Sequence, residues 1–260
     1  MHLIKSFIIA LSMYSIIPMV HTEWKEEDMK YVFIFFPFVG VIIGALVFGW
    51  NILCREFEIG EIARTLGIPV IALIVSGGIH LDGFMDTSDA FCSYREKEKK
   101  LEILKDPHIG AFAVISLVIM GLLYLAGISR IQDRNLMLIV CISFVFSRVL
   151  SAIAAVTFPA AKSGGTLAYF SDHSAKIVVR IVLFLEAALC IGAMVFIHSL
   201  QGGILVLCTG LVFLFYYLKS KKELGGITGD TEGFFVVICE CSVAVAAAIL
   251  NVIGDKFLWF

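Results

Sequence analysis

The chain has 260 residues, of which 60% are hydrophobic and only 16% are charged, whereas a soluble domain is about half apolar and about a quarter charged. Its net charge of −2 gives no indication of a nucleic-acid partner. The seven cysteines form no C-x-x-C pair and most lie in apolar segments, so we interpret them as packing residues rather than a disulfide framework.

Apolar segments long enough to cross a bilayer recur along the chain, and each needs only about 20 residues to form a transmembrane helix. The N-terminal segment MHLIKSFIIALSMYSIIPM lacks an A-x-A cleavage site, so we interpret it as retained, either as a short span or as an interfacial helix. The sequence therefore predicts an all-α fold, a polytopic integral membrane bundle of about seven transmembrane helices, with residues 1–260 forming a single transmembrane catalytic domain. The predicted spans are 31–54, 61–80, 110–128, 136–158, 177–198, 203–218 and 234–253.

Lysine and arginine residues mark one side of the predicted bundle. They are concentrated in the polar segments 82–108, 159–176 and 219–232. The positive-inside rule places these segments on the cytoplasmic side of the cytoplasmic (inner) membrane. Four predicted spans separate the first segment from the last, and an even number of crossings returns the chain to the same side. We therefore expect three distant polar segments to meet at the cytoplasmic face.

Three aspartates stand close together in SGGIHLDGFMDTSDAF, which follows an apolar run. On a helix, Asp82, Asp86 and Asp89 point in directions of roughly 0°, 40° and −20°, so all three share one face. Carboxylates this close repel one another, and hard oxygen ligands favour magnesium or manganese. The pattern predicts a divalent-cation site. The alternative is a solvated helix start, which accounts for Asp82 but not for the shared face.

A second polar cluster, ELGGITGDTEG, precedes the last predicted span. Gly225 and Gly226 permit backbone N–H groups to approach an anion closely, and Thr228 adds a hydroxyl. Asp230 would complete the metal site opened by the first cluster. The alternative is a glycine-rich turn in which Asp230 is a helix N-cap.

Two shorter segments supply further candidates. In LEILKDPHIGAF, Lys105 and Asp106 are further charged candidates, with Asp106 at a break before Pro107, although a simple juxtamembrane turn also explains the pattern. In AAKSGGTLAYF, Lys162 stands beside a Gly-Gly pair suited to a phosphate contact.

Arg148 lies inside a predicted span, where an arginine costs about 2.5–3.5 kcal/mol on insertion scales. Such a residue usually faces a polar cavity or a partner. Arg148 therefore either reaches a phosphate or forms a structural ion pair with Glu186 or Glu240.

Taken in order, these motifs resemble the cobalamin synthase family, whose members are adenosylcobinamide-GDP ribazoletransferases, also called cobalamin 5′-phosphate synthases. The resemblance rests on GGIHLDGFMDTSDAF, KDPHIG, the intramembrane arginine, AAKSGGTLAYF and LGGITGDTEG, and it covers most of the chain. The chain departs from the family pattern at Phe84 and Met85, where small or aliphatic residues are usual, and at Glu232, where an apolar residue is usual. None of these departures removes a carboxylate from the two clusters.

The resemblance implies a magnesium-dependent transfer at the cytoplasmic membrane, with a cobamide precursor, a nucleoside and the surrounding lipid as its partners. A hydroxyl of α-ribazole, or of its 5′-phosphate, attacks the phosphorus attached to the cobinamide in adenosylcobinamide-GDP, and GMP leaves. Such a reaction mainly requires charge neutralisation and alignment. On this basis we expect Asp82, Asp86 and Asp230 to bind Mg²⁺. Asp89 is expected to act as the catalytic base or as a further metal ligand, and Asp106 is the alternative base. The residues expected to bind substrate are Lys105, Arg148, Lys162, Gly225, Gly226 and Thr228.

Two other functions share part of this pattern. A CDP-alcohol phosphotransferase also uses several aspartates on membrane helices, but no arginine follows Asp82 and Gly83 at the spacing of its D-G-x-x-A-R motif. An ion-coupled transporter would use intramembrane charges such as Arg148 and Glu240 as its pathway, and it predicts inverted repeats that are absent from this sequence.

Overall fold

A computed structural model describes residues 2–20, 24–161 and 165–257 of the chain. These residues form α-helices and one 3₁₀ turn (Glu26–Asp28), and no strand occurs in the described ranges apart from a single bridge between Ala160 and Ile227. The all-α prediction is therefore confirmed. The helices are α1 (His2–Tyr14), α2 (Val32–Glu56), α3 (Glu61–Ser76), α4 (Ile79–Cys92), α5 (Lys97–Ile103), α6 (Ala111–Ser129), α7 (Arg134–Thr157), α8 (Thr166–His173), α9 (Lys176–Ile197), α10 (Ser199–Leu224) and α11 (Gly229–Phe257).

Among the described residues, six helices are long and apolar enough to cross a membrane, and the count reaches seven when the bent pair α3–α4 is included as one span. The six are α2, α6, α7, α9, α10 and the Gly229–Gly254 part of α11. The chain is thus a multi-pass membrane protein, and the prediction of about seven transmembrane helices is confirmed.

The predicted span 61–80 is not one continuous helix. Helix α3 ends at Ser76, and α4 leaves it at an angle of 95°. The two residues between them, Gly77 and Gly78, have φ angles of 63° and 79°, a left-handed conformation that glycine adopts without a Cβ penalty. The glycine pair therefore redirects the chain just before the three aspartates, and the prediction of a straight span over 61–80 is corrected.

Helix α7 forms the centre of the bundle. Its apolar window is 78% buried, compared with 17% for α6 at the periphery. Helices α2, α9 and α11 pack directly against α7. Because lipid is as apolar as the side chains, close van der Waals packing rather than escape from water holds such helices together. Arg148, in the middle of α7, consequently lies deep inside the protein.

Helix α1 is a 13-residue apolar helix, shorter than the roughly 20 residues that a span needs. It packs against α2, and a polar contact ties its start to the 3₁₀ turn. Lys5 Nζ lies 3.1 Å from Asp28 Oδ2, His2 Nδ1 lies 2.8 Å from Asp28 Oδ1, and the Ser6 hydroxyl donates to the Asp28 carbonyl at 2.6 Å. Burial alone would raise the pKa of Asp28, but the hydrogen bonds from His2 and Lys5 outweigh it, so the pKa lies below its usual value. The start of α1 is thereby tied to the 3₁₀ turn that precedes α2.

Candidate active site

Three distant polar segments meet at one end of the bundle, as the sequence predicts. Gly83 of α4 lies against the backbone of Asp230, and Lys100 of α5 forms an ion pair with Glu223 of α10. The third contact joins the segments that follow α7 and α10, where the Ile227 N–H donates a hydrogen bond to the Pro159 carbonyl oxygen at 2.9 Å. These contacts bring parts of the three polar segments 82–108, 159–176 and 219–232 to one place.

The aspartate-bearing ends of α4 and α11 touch through glycines. A Cβ on Gly83 would lie 2.7 Å from the Asp230 carbonyl oxygen, and one on Gly233 would lie 2.8 Å from the His80 carbonyl oxygen. Both distances are shorter than ordinary van der Waals contact, so only glycine allows the two backbones this close. As a result Asp82 and Asp230, each in the first turn of its helix, face the same space.

That space is a cavity of about 370 Å³ at the polar end of the bundle. Its polar side includes Asp82, Asp230, Lys105 and Thr228. Asp82 and Lys105 are exposed to solvent, whereas Asp230 is half-buried. The positive ends of two helix dipoles, those of α4 and α11, meet at this side of the cavity, and such helix starts favour anions. The arrangement can bind a phosphate-bearing ligand between a lysine, two helix starts and two carboxylates.

The cavity also has aromatic lining. Tyr14 and Phe36 have their ring centroids 4.2 Å apart, and Phe33 and Phe170 complete the apolar wall. Ser151 of α7 also lines the cavity, and its hydroxyl donates to the buried carboxylate of Glu232. The cavity therefore combines an anionic and cationic rim with an apolar chamber that contains one buried carboxylate.

The other two aspartates of α4 lie beside the rim without lining the cavity. Asp86 is half-buried and experiences the negative charges of Asp82, Asp230 and Asp89. The Asp89 carboxylate packs against the backbone of Gly110, the residue that precedes α6. The predicted shared face of the three aspartates is thus a real cluster of negative charge, to which Asp230 adds a fourth carboxylate.

A metal ion is compatible with the chemistry of these donors, which are all hard oxygens. Within the described residues, no three His, Cys, Asp or Glu side chains are already spaced to hold an ion. Mg²⁺, however, commonly binds through one or two carboxylates together with waters and substrate phosphates rather than in a complete protein cage. Asp82 and Asp230 can supply such a partial site. Ligation of Mg²⁺ by Asp82, Asp86 and Asp230 stays a prediction.

The residues of segment 101–112 divide into two groups. Lys105 lines the cavity and agrees with its expected role as a phosphate ligand. Asp106, in contrast, is exposed and accepts hydrogen bonds from the backbone N–H of His108 at 3.0 Å and from its ring at 2.6 Å. These bonds hold the pKa of Asp106 below its usual value. Asp106 thus lies in an ordered surface turn and does not line the cavity.

The Arg148 guanidinium forms an ion pair and does not line the cavity. Its Nη1 lies 2.6 Å from Glu240 Oε1 and also donates to the Phe144 carbonyl at 2.8 Å. The guanidinium is buried and borders a second, smaller cavity of about 170 Å³ that also contacts Tyr124. The structural ion pair with Glu240, one of the alternatives predicted from the sequence, is therefore confirmed. Because Arg148 does not line the cavity that contains Asp82 and Asp230, its position does not support a phosphate contact.

The remaining substrate-binding candidates have structural contacts. Gly225 ends α10 with a φ of 77° and lies against the Lys97 side chain, while Gly226 packs on the backbone of the segment after α7. Thr228 caps α11: its hydroxyl accepts from the Thr231 N–H at 3.2 Å, and Thr231 Oγ1 accepts from the Thr228 N–H at 2.8 Å. Neither glycine lines the cavity, whereas Thr228 does. Lys162 lies outside the described residues.

Sequence reasoning missed the apolar half of the site. Tyr14 and Phe36 belong to segments interpreted only as membrane-embedded, and Ser151 lies within a predicted span. Glu232 was noticed only as a departure from the family pattern. Its position gave no further signal, because carboxylates are common in the first turn of a helix.

Comparisons with known proteins agree with the order of the motifs. The family model described as cobalamin-5-phosphate synthase matches residues 6–248. A protein of Lachnoclostridium phytofermentans named adenosylcobinamide-GDP ribazoletransferase is 38% identical over 248 residues, which cover 95% of this chain and 94% of the relative. Proteins with the same name from Clostridium perfringens (34% identical, 91% of this chain and 94% of the relative) and Treponema denticola (32%, 95% and 99%) are also similar. No solved structure matches the chain.

Proposed function

The chain belongs to the cobalamin-5-phosphate synthase family, and from this premise we propose that it is an adenosylcobinamide-GDP ribazoletransferase. A hydroxyl of α-ribazole, or of its 5′-phosphate, attacks the phosphorus attached to the cobinamide. The bond from that phosphorus to the bridging oxygen breaks, and GMP leaves with the electron pair. The products are adenosylcobalamin, or its 5′-phosphate, and GMP.

One observation carries this proposal at the level of the site: Asp82 and Asp230, from distant parts of the chain, line one cavity together with Lys105. Phosphoryl transfer from a diphosphate depends mainly on positioning and on neutralising charge. Lys105 supplies a positive charge at the rim, and the starts of α4 and α11 supply partial positive charges from their backbone N–H groups. These groups bind and orient the diphosphate of the cobinamide substrate.

Mg²⁺ is the cofactor that the carboxylates of this site suit. Asp82 and Asp230 would hold the ion, with Asp86 beside them. When bound, it would neutralise the diphosphate and stabilise charge on the leaving oxygen. Without a counter-charge, the carboxylates of Asp82 and Asp230 at the rim, with Asp86 and Asp89 beside them, would repel an anionic substrate.

Asp89 is the better candidate for accepting the proton of the attacking hydroxyl. It belongs to the carboxylate cluster around Asp86, whereas Asp106 is held by His108 in an exposed turn. The substrate hydroxyl has to approach Asp89 directly or through one water, which is the reach of a general base.

The charges around the site support a proposal for the membrane placement. The polar end of the bundle carries the lysines of α5 and of the end of α10. The positive-inside rule supports a cytoplasmic-membrane protein with its active site on the cytoplasmic face. A reporter fused after α10 would test this orientation independently of activity.

The experiment that tests the function is a turnover assay with purified, detergent-solubilised protein. Adenosylcobinamide-GDP, α-ribazole and Mg²⁺ are mixed with the enzyme, and released GMP is measured. We expect Asp82→Ala and Asp230→Ala to abolish GMP release while the protein still inserts into the membrane. Glu56→Ala, an exposed acid at the far end of α2, is the matched control and retains full activity. Normal turnover by either aspartate variant would refute the assigned site.

A further inference from the structure

A further cavity adjoins the candidate active site at the polar end of the bundle. It has a volume of about 360 Å³ and lies between the end of α7, helix α8 and the start of α9, so we call it the α8 cavity. Its wall and the wall of the active-site cavity share Ala155, Ala160, Leu167, Ala168 and Ile227. The two cavities are therefore direct neighbours.

The proposed reaction requires space beside the diphosphate for a second nucleoside. This step rests on the proposed function, which supplies a guanosine as the leaving part of one substrate. In phosphoryl transfer the attacking and the leaving oxygen lie roughly in line on opposite sides of the phosphorus. The attacking nucleoside and the guanosine of the leaving GMP consequently cannot share one space. Because Asp82, Asp230 and Lys105 bind the diphosphate at the active-site cavity, the guanosine must enter a region next to that cavity.

Two oppositely charged side chains line the α8 cavity. Asp172 belongs to α8 and Lys176 is the first residue of α9, and Lys176 Nζ lies 3.3 Å from Asp172 Oδ1. The Asp172 and Lys176 side chains are 71% and 41% exposed, so their ion pair is solvated and contributes little to stability. Both charges can therefore exchange this pairing for contacts with a ligand at little cost. Phe158 adds an apolar ring to the same cavity and packs against Tyr217 at a centroid distance of 4.4 Å.

The charged pair matches the hydrogen-bonding edge of guanine, which presents the O6 acceptor beside the N1–H and N2–H donors. A carboxylate accepts from two donors at once, and an ammonium group donates to a carbonyl oxygen. We propose that the α8 cavity is the subsite for the guanine base of the cobinamide substrate, where Asp172 accepts hydrogen bonds from N1–H and N2–H and Lys176 donates to O6. Phe158 provides an apolar surface for the base. Adenine is disfavoured because it presents an N6–H donor to the lysine and an N1 acceptor to the carboxylate.

The test measures equilibrium binding of GDP, IDP and ADP to purified protein in detergent. IDP lacks only the 2-amino group of guanine, and ADP reverses the donor and the acceptor at this edge. Because hydrogen bonds to charged groups are strong, we expect wild type to bind GDP about 10- to 100-fold more tightly than either analogue. Asp172→Ala should bind GDP and IDP within about twofold of each other. Lys176→Met should weaken GDP and IDP binding by about 10-fold without affecting ADP, and Glu56→Ala is the matched control that binds all three as wild type does.

Three results would each overturn the inference: equal binding of the three nucleotides by wild type, an unchanged GDP preference in Asp172→Ala, or no binding of GDP. Weakening of ADP binding by Lys176→Met to the same extent as GDP binding would also overturn it, because Lys176 would then contact the phosphates. If Asp172→Ala fails to fold, the wild-type ratios and Lys176→Met still decide. GMP release from adenosylcobinamide-GDP is measured separately. A GDP preference without any GMP release would refute the proposed reaction and leave the guanine subsite intact, whereas GMP release without that preference would refute the subsite alone.

Discussion

The contact between α4 and α11 allows a quantitative prediction for Gly83→Ala. The new Cβ would stand 2.7 Å from the Asp230 carbonyl oxygen and 2.9 Å from its Cα, whereas ordinary contact begins at 3.4 Å. The helices must therefore separate by about 0.7 Å at this point, because both clashing atoms are backbone. Overpacking of this kind costs about 1–3 kcal/mol of stability.

The same displacement moves Asp82 away from Asp230. A misplacement of about 1 Å can reduce a rate by about 100-fold, so we expect Gly83→Ala to lower kcat for GMP release by about 10- to 100-fold. The assay measures GMP release at saturating substrate, and thermal unfolding in detergent measures the loss of stability in parallel.

Gly192→Ala on α9 is the matched control for Gly83→Ala. A Cβ there meets nothing within 4 Å, so the substitution should leave activity unchanged and raise stability slightly, because alanine favours helix more than glycine does. A Gly83→Ala enzyme with wild-type kcat and unfolding temperature would show that the close approach of the two helix starts is not needed, and the reasoning would fail.

Three further predictions concern the ion pair, the N-terminal contact and the metal. Arg148→Met should lower stability by about 3–5 kcal/mol because it leaves Glu240 buried and unpaired, and Arg148→Met combined with Glu240→Leu should recover most of this loss in thermal unfolding. Asp28→Asn should destabilise the protein at neutral pH but not at low pH. Because the pKa of Asp28 is lowered in the folded state, the stabilisation by its carboxylate is present above about pH 4 and is lost as the pH falls through that pKa. The unfolding temperatures of the variant and the wild type should therefore converge at low pH. Chelation of divalent ions should stop GMP release and added Mg²⁺ should restore it, whereas activity in excess chelator would contradict the metal proposal.

Much of the fold follows from the sequence alone. Long charge-free runs predict membrane helices because unpaired backbone groups are too costly in lipid. Six of the seven spans so predicted correspond to single helices that differ by a few residues at their ends, whereas the span 61–80 is broken between α3 and α4. The shared face of Asp82, Asp86 and Asp89 also follows, since helical periodicity is a local property of the chain. Counting the spans between the polar segments was sufficient to place Asp230 at the same end of the bundle as these aspartates.

Other features depended on contacts that no local pattern encodes. The Gly77–Gly78 pair could end a helix or continue it, and only the packed structure shows the 95° bend that turns α4 toward α11. The choice of Glu240 as the partner of Arg148, with Glu186 as the rival, likewise depends on which helices are neighbours. Gly225 and Gly226 resemble a phosphate-binding turn in sequence, but their contacts are with Lys97 and the backbone after α7.

The sequence by itself determined that this protein is a helical membrane protein with acidic clusters at one face, because hydropathy and helical period are carried by neighbouring residues. Only the tertiary structure decided that Tyr14, Ser151 and Glu232, from the first, seventh and last helices, form one chamber behind Asp82 and Asp230. The physical reason is that a cavity is the space left between packed helices. Its shape depends on how closely their backbones approach, as at Gly83, and not on the residue types of any single segment.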